Sequence, residues 1–163
     1  MSGPEPSMPA GEEPLIVFTY LARAGLLLET LQKESLGTFD LSFVEYSVLR
    51  LLARAGASQQ LSPSRLAEQV VRTTGAMTKI LDRLEGRGLL ERVPDPTDRR
   101  ALLVRLTSEG LEQSDKASAA YAVLRSRVLE GLAVEEIATV TAGVGRLVEL
   151  LEHHQTRPGG RLP

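Results

Sequence analysis

Two short helical segments with a tight connection between them constrain this chain more than any other feature. Ser62 places a hydroxyl at the N-cap of the first segment, and Pro63 follows at a position where its missing N–H costs nothing. Thr73 is placed to cap the second segment, which ends at the breaker Gly86-Arg87-Gly88. Two capped helices three or four residues apart have the spacing of a helix-turn-helix. This stretch is therefore predicted to form one.

The second helix has two chemically different sides. At about 100° per residue, its large apolar residues fall on one side: Met77, Ile80, Leu81 and Leu84. The other side carries small, hydroxyl-bearing or cationic residues, which let a backbone approach phosphates and can bond base edges. The residues predicted to contact a DNA major groove are Thr73, Thr74, Gly75, Ala76, Thr78, Lys79 and Arg83. Asp82 and Glu85 are interpreted as partners of nearby arginines rather than as base readers.

The sequence period changes from helical to alternating after Gly88. Residues 90–93 and 101–106 are predicted to be strands, the second with Leu102, Val104 and Leu106 on one face. The connecting loop is rich in turn residues and ends in two arginines. A guanidinium is thin enough to enter a minor groove, so this wing is predicted to contact DNA through Asp98, Arg99 and Arg100. Asp98 is expected to orient Arg100 through a charge-assisted hydrogen bond. A solvated hairpin tip is the alternative.

The segment from Leu61 to Gly110 resembles the core of the MarR family of bacterial transcription regulators. The resemblance rests on two separated motifs, GAMTKILDRLEGRGLLER and DPTDRR, which keep the family's spacing. It implies a homodimer with each recognition helix in a major groove and each wing arginine, here Arg100, in a flanking minor groove. Thr74 departs from the pattern, since relatives often carry proline there.

Helices are predicted on both sides of this lobe. Residues 15–36 are apolar almost all round, which favours cover by a partner subunit over a central place in a monomer core. Ser42 and Glu45 form a capping box for the next helix, which is expected to end at Gly56. The residues of that helix predicted to face inward are Val44, Val48, Leu51 and Ala55. Thr107 or Ser108 is placed to cap a long helix to about residue 130, and a last helix is predicted over residues 134–153.

These elements predict a mainly α fold with a small β-hairpin wing. A winged helix-turn-helix DNA-binding lobe is expected over residues 41–106. A helical dimerisation module is expected from the N- and C-terminal helices, residues 15–40 and 107–155. Residues 1–14 and 156–163 are predicted to be flexible tails.

The charge of the chain is unevenly distributed. The formal net charge is −2, but residues 62–106 carry nine basic and six acidic side chains and are therefore +3. A basic module on an acidic body directs an anionic polymer to one face. The chain has no cysteine, which excludes a thiol-based switch. No stretch is expected to span a membrane.

The sequence predicts neither an enzyme nor a metal or cofactor site. His153 and His154 are adjacent near a helix end, where they favour the helix dipole rather than a shared metal. The resemblance to the MarR family implies a homodimeric repressor that reads a pseudo-palindromic operator, located in the bacterial cytoplasm and associated with the nucleoid. The alternative is a winged-helix protein-interaction module that lacks specific DNA binding.

The resemblance also implies an effector pocket between the dimer module and each DNA-binding lobe, often for aromatic acids. The candidate residues combine aromatic rings with one cation: Tyr20, Arg23, Phe39, Phe43 and Tyr46. Aromatic residues that only fill the core are the alternative interpretation.

Overall fold

The protein is built mainly from helices, with one small sheet. A computed structural model describes residues 13–70, 74–98 and 100–156. The helices are α1 (Glu13–Gly37), α2 (Phe43–Ala53), α3 (Pro63–Gln69), α4 (Thr74–Gly86), α5 (Ser108–Val128) and α6 (Val134–Thr156). The strands are β1 (Gln60–Leu61), β2 (Leu90–Pro94) and β3 (Leu102–Leu106). The predicted fold class, mainly α with a small wing, is confirmed.

The wing is a three-stranded antiparallel sheet in the order β1-β3-β2 rather than a two-stranded hairpin. The β2–β3 register runs from Leu90 opposite Leu106 to Pro94 opposite Leu102. The short strand β1 adds Leu61 opposite Val104 on the other edge of β3. The sequence does not predict β1, because two residues carry no alternating pattern.

The three residues predicted to share one face of β3 differ in burial. Val104 and Leu106 are buried, whereas Leu102 is 49% exposed. Leu102 is the first residue of β3, next to the wing tip and beyond the end of the core.

The hydrophobic core lies beneath the recognition helix. Its largest fully buried residues come from five helices and the sheet region: Leu36, Val48, Leu49, Leu52, Leu66, Met77, Leu81, Leu84, Leu89, Leu90 and Val104, with Ala117 from α5. The inward face of α2 differs from the prediction. Val48 is buried as expected, but Val44, Leu51 and Ala55 are only partly buried, and Leu49 and Leu52 take the central positions. The inward face of α2 begins at the buried Glu45. Glutamate is a residue type that is normally found at the surface.

The predicted N-terminal caps are confirmed where the structure describes them, but the helix end expected at Gly56 is wrong, because α2 ends at Ala53 with Arg54 as its C-cap. Ser42 and Glu45 form a reciprocal capping box at the start of α2. The Ser62 hydroxyl accepts a hydrogen bond from the Arg65 N–H, with Pro63 in the first turn of α3. Thr107 caps α5 by accepting from the Gly110 N–H at 3.0 Å. The cap predicted at Thr73 lies outside the described residues.

The chain divides into two compact units, Met1–Leu124 and Arg125–Pro163. Within the first unit, α1 presents many apolar side chains to solvent, including Leu15, Phe18 and Leu26, each more than half exposed. A single chain therefore buries little of α1 apart from Leu36, which disfavours the alternative of a central core helix. In the second unit, α6 likewise exposes Val134 and Val140.

The expectation that no stretch could span a membrane is wrong for α1 when length and composition alone are considered. The segment Leu15–Gly37 is long and apolar enough to cross a bilayer, and the 18-residue stretch of it that meets this test has no residue buried within the chain. Helices that pack on another polypeptide meet the same test. The described part of α1 begins at Glu13, and α6 continues to Thr156. The rest of the predicted tails, residues 1–12 and 157–163, lies outside the described residues.

Candidate nucleic-acid interface

The recognition helix α4 is fixed by its apolar side. Met77, Leu81 and Leu84 are each at most 1% exposed. This packing turns Gly75, Thr78 and Lys79 to the surface and leaves Ala76 partly exposed. Thr74 belongs to the helix, whereas Thr73 lies outside the described residues. The exposed surface is therefore small and polar, with an ammonium group one turn into the helix.

Arg83 is bound within the protein, although it was predicted on the DNA-facing side. Its guanidinium lies 2.9 Å from the Glu45 carboxylate and 2.9 Å from that of Asp40. Glu45 is 3% exposed, so Arg83 is the cation that compensates a buried charge. Arg87, four residues later, is also bound within the protein. It donates hydrogen bonds to the carbonyl oxygens of Asp40 and Phe39. The side chain of Arg83 remains 49% exposed.

A second arginine, Arg92 of β2, joins the recognition helix to the wing. Its guanidinium lies 2.6 Å from Asp82 and also pairs with Glu85. Its backbone N–H donates to Glu85 as well, at 3.2 Å. The hydrogen bond to Asp82, with the charges of both acids, raises the pKa of Arg92 against the opposing effect of partial burial. The interpretation of Asp82 and Glu85 as partners of arginine is confirmed, but the sequence did not indicate which arginine.

Two aspartates shape the wing tip through backbone contacts. Asp95 accepts hydrogen bonds from the backbone N–H and the hydroxyl of Thr97, both at 2.7 Å. These bonds lower the pKa of the Asp95 carboxyl. Asp98 accepts from the backbone N–H of Arg100 at 2.9 Å. The expected bond from Asp98 to the Arg100 guanidinium is thus replaced by a bond to its main chain. Arg100 is exposed, and Arg99 lies outside the described residues.

Few cations of this surface are left for a ligand. In the part of the chain that the structure describes, no ion pair engages the side chains of Arg65, Lys79 or Arg100. By contrast, Arg105 pairs with Glu91 across the sheet at 2.9 Å. Among the described residues, Lys79 and Arg100 therefore give the helix and the wing one uncommitted positive charge each. Such charges can neutralise the phosphates of a polyanion.

The five predicted pocket residues do not form one group. Phe43 and Tyr46 pack together with their ring centroids 6.2 Å apart, and both contact Tyr121 of α5. Phe39 packs against the core, and Tyr20 is 65% exposed on α1. Arg23 is also exposed on α1. Tyr121 was not predicted, since it lies 75 residues after Tyr46 in the sequence.

A cleft of about 660 Å³ lies beside this aromatic cluster, between α1, α2 and the recognition helix. Phe43 is the predicted residue among those that line it. Its charged lining residues are Glu29, Lys33, Asp40 and Arg83. No cluster of three or more metal-ligating side chains occurs among the residues that the structure describes.

Comparisons with known proteins agree with this arrangement. The sequence model of the MarR family matches residues 41–102, the predicted DNA-binding lobe. The chain is 29% identical over 143 residues to the HTH-type transcriptional regulator PecS of Dickeya dadantii, covering 88% of this chain and 86% of that relative. It is 30% identical over 106 residues to the multiple antibiotic resistance protein MarR of Salmonella typhimurium, covering 64% of this chain and 72% of that protein.

The fold has close counterparts among solved structures. A mutant MarR from E. coli, crystallised in complex with operator DNA, superposes with a TM-score of 0.74 at 24% identity. The match covers 86% of this chain and 99% of that one. With the sequence relatives, this likeness accounts for the recognition helix, the wing and the flanking helices. The chain belongs to the MarR family and is a DNA-binding transcriptional regulator rather than an enzyme.

Proposed function

We propose that this regulator acts as a homodimer that reads a short inverted repeat in double-stranded DNA and represses transcription there. In this proposal α4 enters the major groove through Gly75, Ala76, Thr78 and Lys79. The wing places Arg100 in the adjacent minor groove. One recognition helix touches only a few base pairs, so two symmetric copies supply the affinity and specificity that an operator requires. The protein then works in the bacterial cytoplasm, in association with the nucleoid.

The observation that carries the proposal is the division of cations within the lobe. Arg83, Arg87 and Arg92 are engaged in internal ion pairs, whereas Lys79 and Arg100 are exposed without one among the described residues. The two uncommitted charges lie on the two elements that a winged helix presents to DNA. A surface that binds proteins would instead be expected to carry aromatic or large apolar residues.

Exposed apolar surface supports the homodimer. Leu15, Phe18 and Leu26 of α1 are 56–70% exposed in the single chain. A row of this length exceeds the scattered apolar residues that a monomer normally leaves at its surface. A second copy of the chain would cover it. Size-exclusion chromatography with light scattering should give twice the 17.7 kDa mass of the chain. A monomer at micromolar concentration would contradict this part of the proposal.

The DNA test is a salt-titrated binding assay. The duplex is the region upstream of the protein's own gene, and a scrambled duplex of equal length is the comparison. Wild type should bind the native duplex more tightly, with an affinity that falls steeply with salt. Arg100→Ala should weaken that binding, whereas Arg146→Ala, which removes an exposed arginine of α6, should not. Equal and weak binding to both duplexes would favour the protein-interaction alternative.

We also propose that a small aromatic acid binds the cleft beside Phe43. The ring of Phe43 supplies a flat apolar wall, and Lys33 supplies a cation for a carboxylate. Such a ligand changes DNA binding only if it binds one arrangement of the lobe better than the other. A panel of aromatic acids should release the labelled operator from wild type and act more weakly on Lys33→Gln. Unchanged operator affinity across the panel would refute this part of the proposal.

A further inference from the structure

Arg92 stands out because it pairs with two acids on a different element. It lies in β2, the strand that enters the wing, whereas Asp82 and Glu85 lie on the recognition helix. Three contacts join the elements: the guanidinium pairs with Asp82 at 2.6 Å and with Glu85, and the Arg92 backbone N–H donates to Glu85 at 3.2 Å. The Arg92 side chain is 26% exposed. We call these three residues the helix–wing clamp.

We propose that the helix–wing clamp positions the wing relative to the recognition helix, so that both reach DNA at once. Arg92 is then a positioning residue for DNA binding and touches no DNA itself. The inference rests on the proposed function, since it matters only if α4 and Arg100 contact the same duplex.

The geometry explains why such a clamp is needed. The described part of the wing tip, residues 95–98 and 100–101, lies beyond Pro94 and Leu102, the last residues paired between β2 and β3. Asp95 and Asp98 order the tip itself: their carboxylates accept from Thr97 and Arg100, and their main chains bond to Ala101, all within the tip. The direction of the wing must therefore be set where β2 contacts the recognition helix. Arg92 lies two residues before the end of that strand.

The planar guanidinium suits this task better than an ammonium would. Its two terminal nitrogens engage separate carboxylates, Nη2 on Asp82 and Nη1 on Glu85. A fork with two fixed donors restricts rotation as well as separation, whereas a lysine gives one point charge. Lysine at position 92 should therefore keep the charge of this site but lose part of the alignment.

A competing explanation is purely electrostatic. Arg92 could simply neutralise two acids that would otherwise repel phosphates. The two explanations predict opposite signs for one variant, Asp82→Asn with Glu85→Gln. This variant removes both negative charges and also the clamp. Neutralisation alone predicts tighter operator binding, whereas the clamp predicts binding weakened by about threefold or more.

The decisive experiment is a double-mutant cycle on the full-length protein with the operator duplex. Arg92→Gln and Arg100→Ala are measured singly and together. If the clamp aims the wing, Arg100→Ala costs markedly less in the Arg92→Gln background, with a coupling of about threefold or more. Additive effects would overturn the proposal. If Asp82 instead read a base, the cost of Arg100→Ala would be the same with and without Arg92→Gln. That result would also overturn the proposal.

The chain offers a matched control. Arg105→Gln breaks the ion pair with Glu91, which joins β2 to β3 and does not reach α4. Its cycle with Arg100→Ala should be additive, and coupling as large as that of Arg92 would refute a specific clamp. Circular dichroism and urea midpoints verify folding; should Arg92→Gln unfold, Asp82→Asn replaces it in the cycle. If wild type fails to distinguish the operator from a scrambled duplex, the proposed function fails rather than the clamp.

Discussion

Lys79 and Arg83 lie one turn apart on α4, and their sequence context gives them the same role. The structure gives them different partners. Lys79 is exposed with no ion pair among the described residues, whereas Arg83 lies 2.9 Å from the buried Glu45. Each is replaced with methionine, an unbranched residue of similar helix propensity. The two variants should differ in phenotype, one in DNA binding and the other in stability.

Lys79→Met should act on DNA binding and leave the free energy of unfolding nearly unchanged. Each phosphate contact contributes about 0.9 to the slope of log K against log salt. Two symmetric copies in the proposed dimer make the expected loss of slope about 1.8. At about 0.15 M salt this corresponds to roughly 30-fold weaker binding.

Arg83→Met should act on stability. It leaves the Glu45 carboxylate, 3% exposed, with hydrogen bonds from the Ser42 N–H and hydroxyl at 2.8 and 2.7 Å. Breaking a fully buried ion pair costs about 3–5 kcal/mol. Because the side chain of Arg83 is 49% exposed, water screens part of the loss. A decrease of about 1–3 kcal/mol in the free energy of unfolding is expected.

The assay pairs urea unfolding at one fixed protein concentration with operator titrations at four or more salt concentrations. Fixed concentration matters because assembly adds to apparent stability. The titrations are carried out where every variant is fully folded. Suppose that Arg83→Met lowers the salt slope as much as Lys79→Met and leaves the urea midpoint unchanged. Arg83 would then be a phosphate contact, and the partition of cations argued from the structure would be wrong.

Three further changes test separate parts of the structure. Gly110→Ala should destabilise the fold by about 2 kcal/mol or more in urea unfolding, because a Cβ there would lie 1.8 Å from the Leu89 carbonyl oxygen. The pKa of Asp95 in the folded protein lies below its ordinary value of 3.8. The hydrogen bonds from Thr97 should therefore be fully present above pH 3.8 and be lost as the pH falls through the lower pKa of the folded state. The Thr97 amide resonance should accordingly shift only below that ordinary value, and an earlier shift would contradict it. Ser114→Ala should leave unfolding unchanged or raise its free energy by about 1 kcal/mol, since the buried Ser114 hydroxyl has no hydrogen-bond partner among the described residues; a clear loss would mean that it has one.

The features that could be predicted from the sequence depend on neighbours a few residues apart. The capping box of Ser42 and Glu45 spans four positions, and the Ser62–Pro63 start of α3 spans two. The apolar side of α4 repeats at helical spacing. In each case a short-range rule of hydrogen bonding or periodicity fixes the outcome. The two motifs that resemble the MarR family added the order of the elements.

The features that sequence reasoning missed depend on residues far apart along the chain. Glu45 was correctly assigned to a cap, but its ion pair joins it to Arg83, 38 residues later. Glu45 is buried on the same face of α2 as Leu49 and Leu52, whereas Leu51 is only partly buried. The strand β1 was missed for a similar reason, since two residues form a strand only because β3 offers a free edge. Tertiary partners decide such positions, and local propensity does not reveal them.

The free charge of the lobe also depends on partners far apart along the chain, and it affects DNA binding. The count of nine basic residues over 62–106 suggests a strongly cationic lobe. The structure assigns four of them to internal pairs: Arg83, Arg87, Arg92 and Arg105. The remaining basic residues are Arg65, Lys79 and Arg100, together with the undescribed Arg72 and Arg99. A dimer then makes six phosphate contacts if only the first three contribute and ten if all five do. The salt slope should thus lie between about −5 and −9. A steeper slope would require the internal pairs to open on DNA, and the clamp at Arg92 would then be a contact rather than a support.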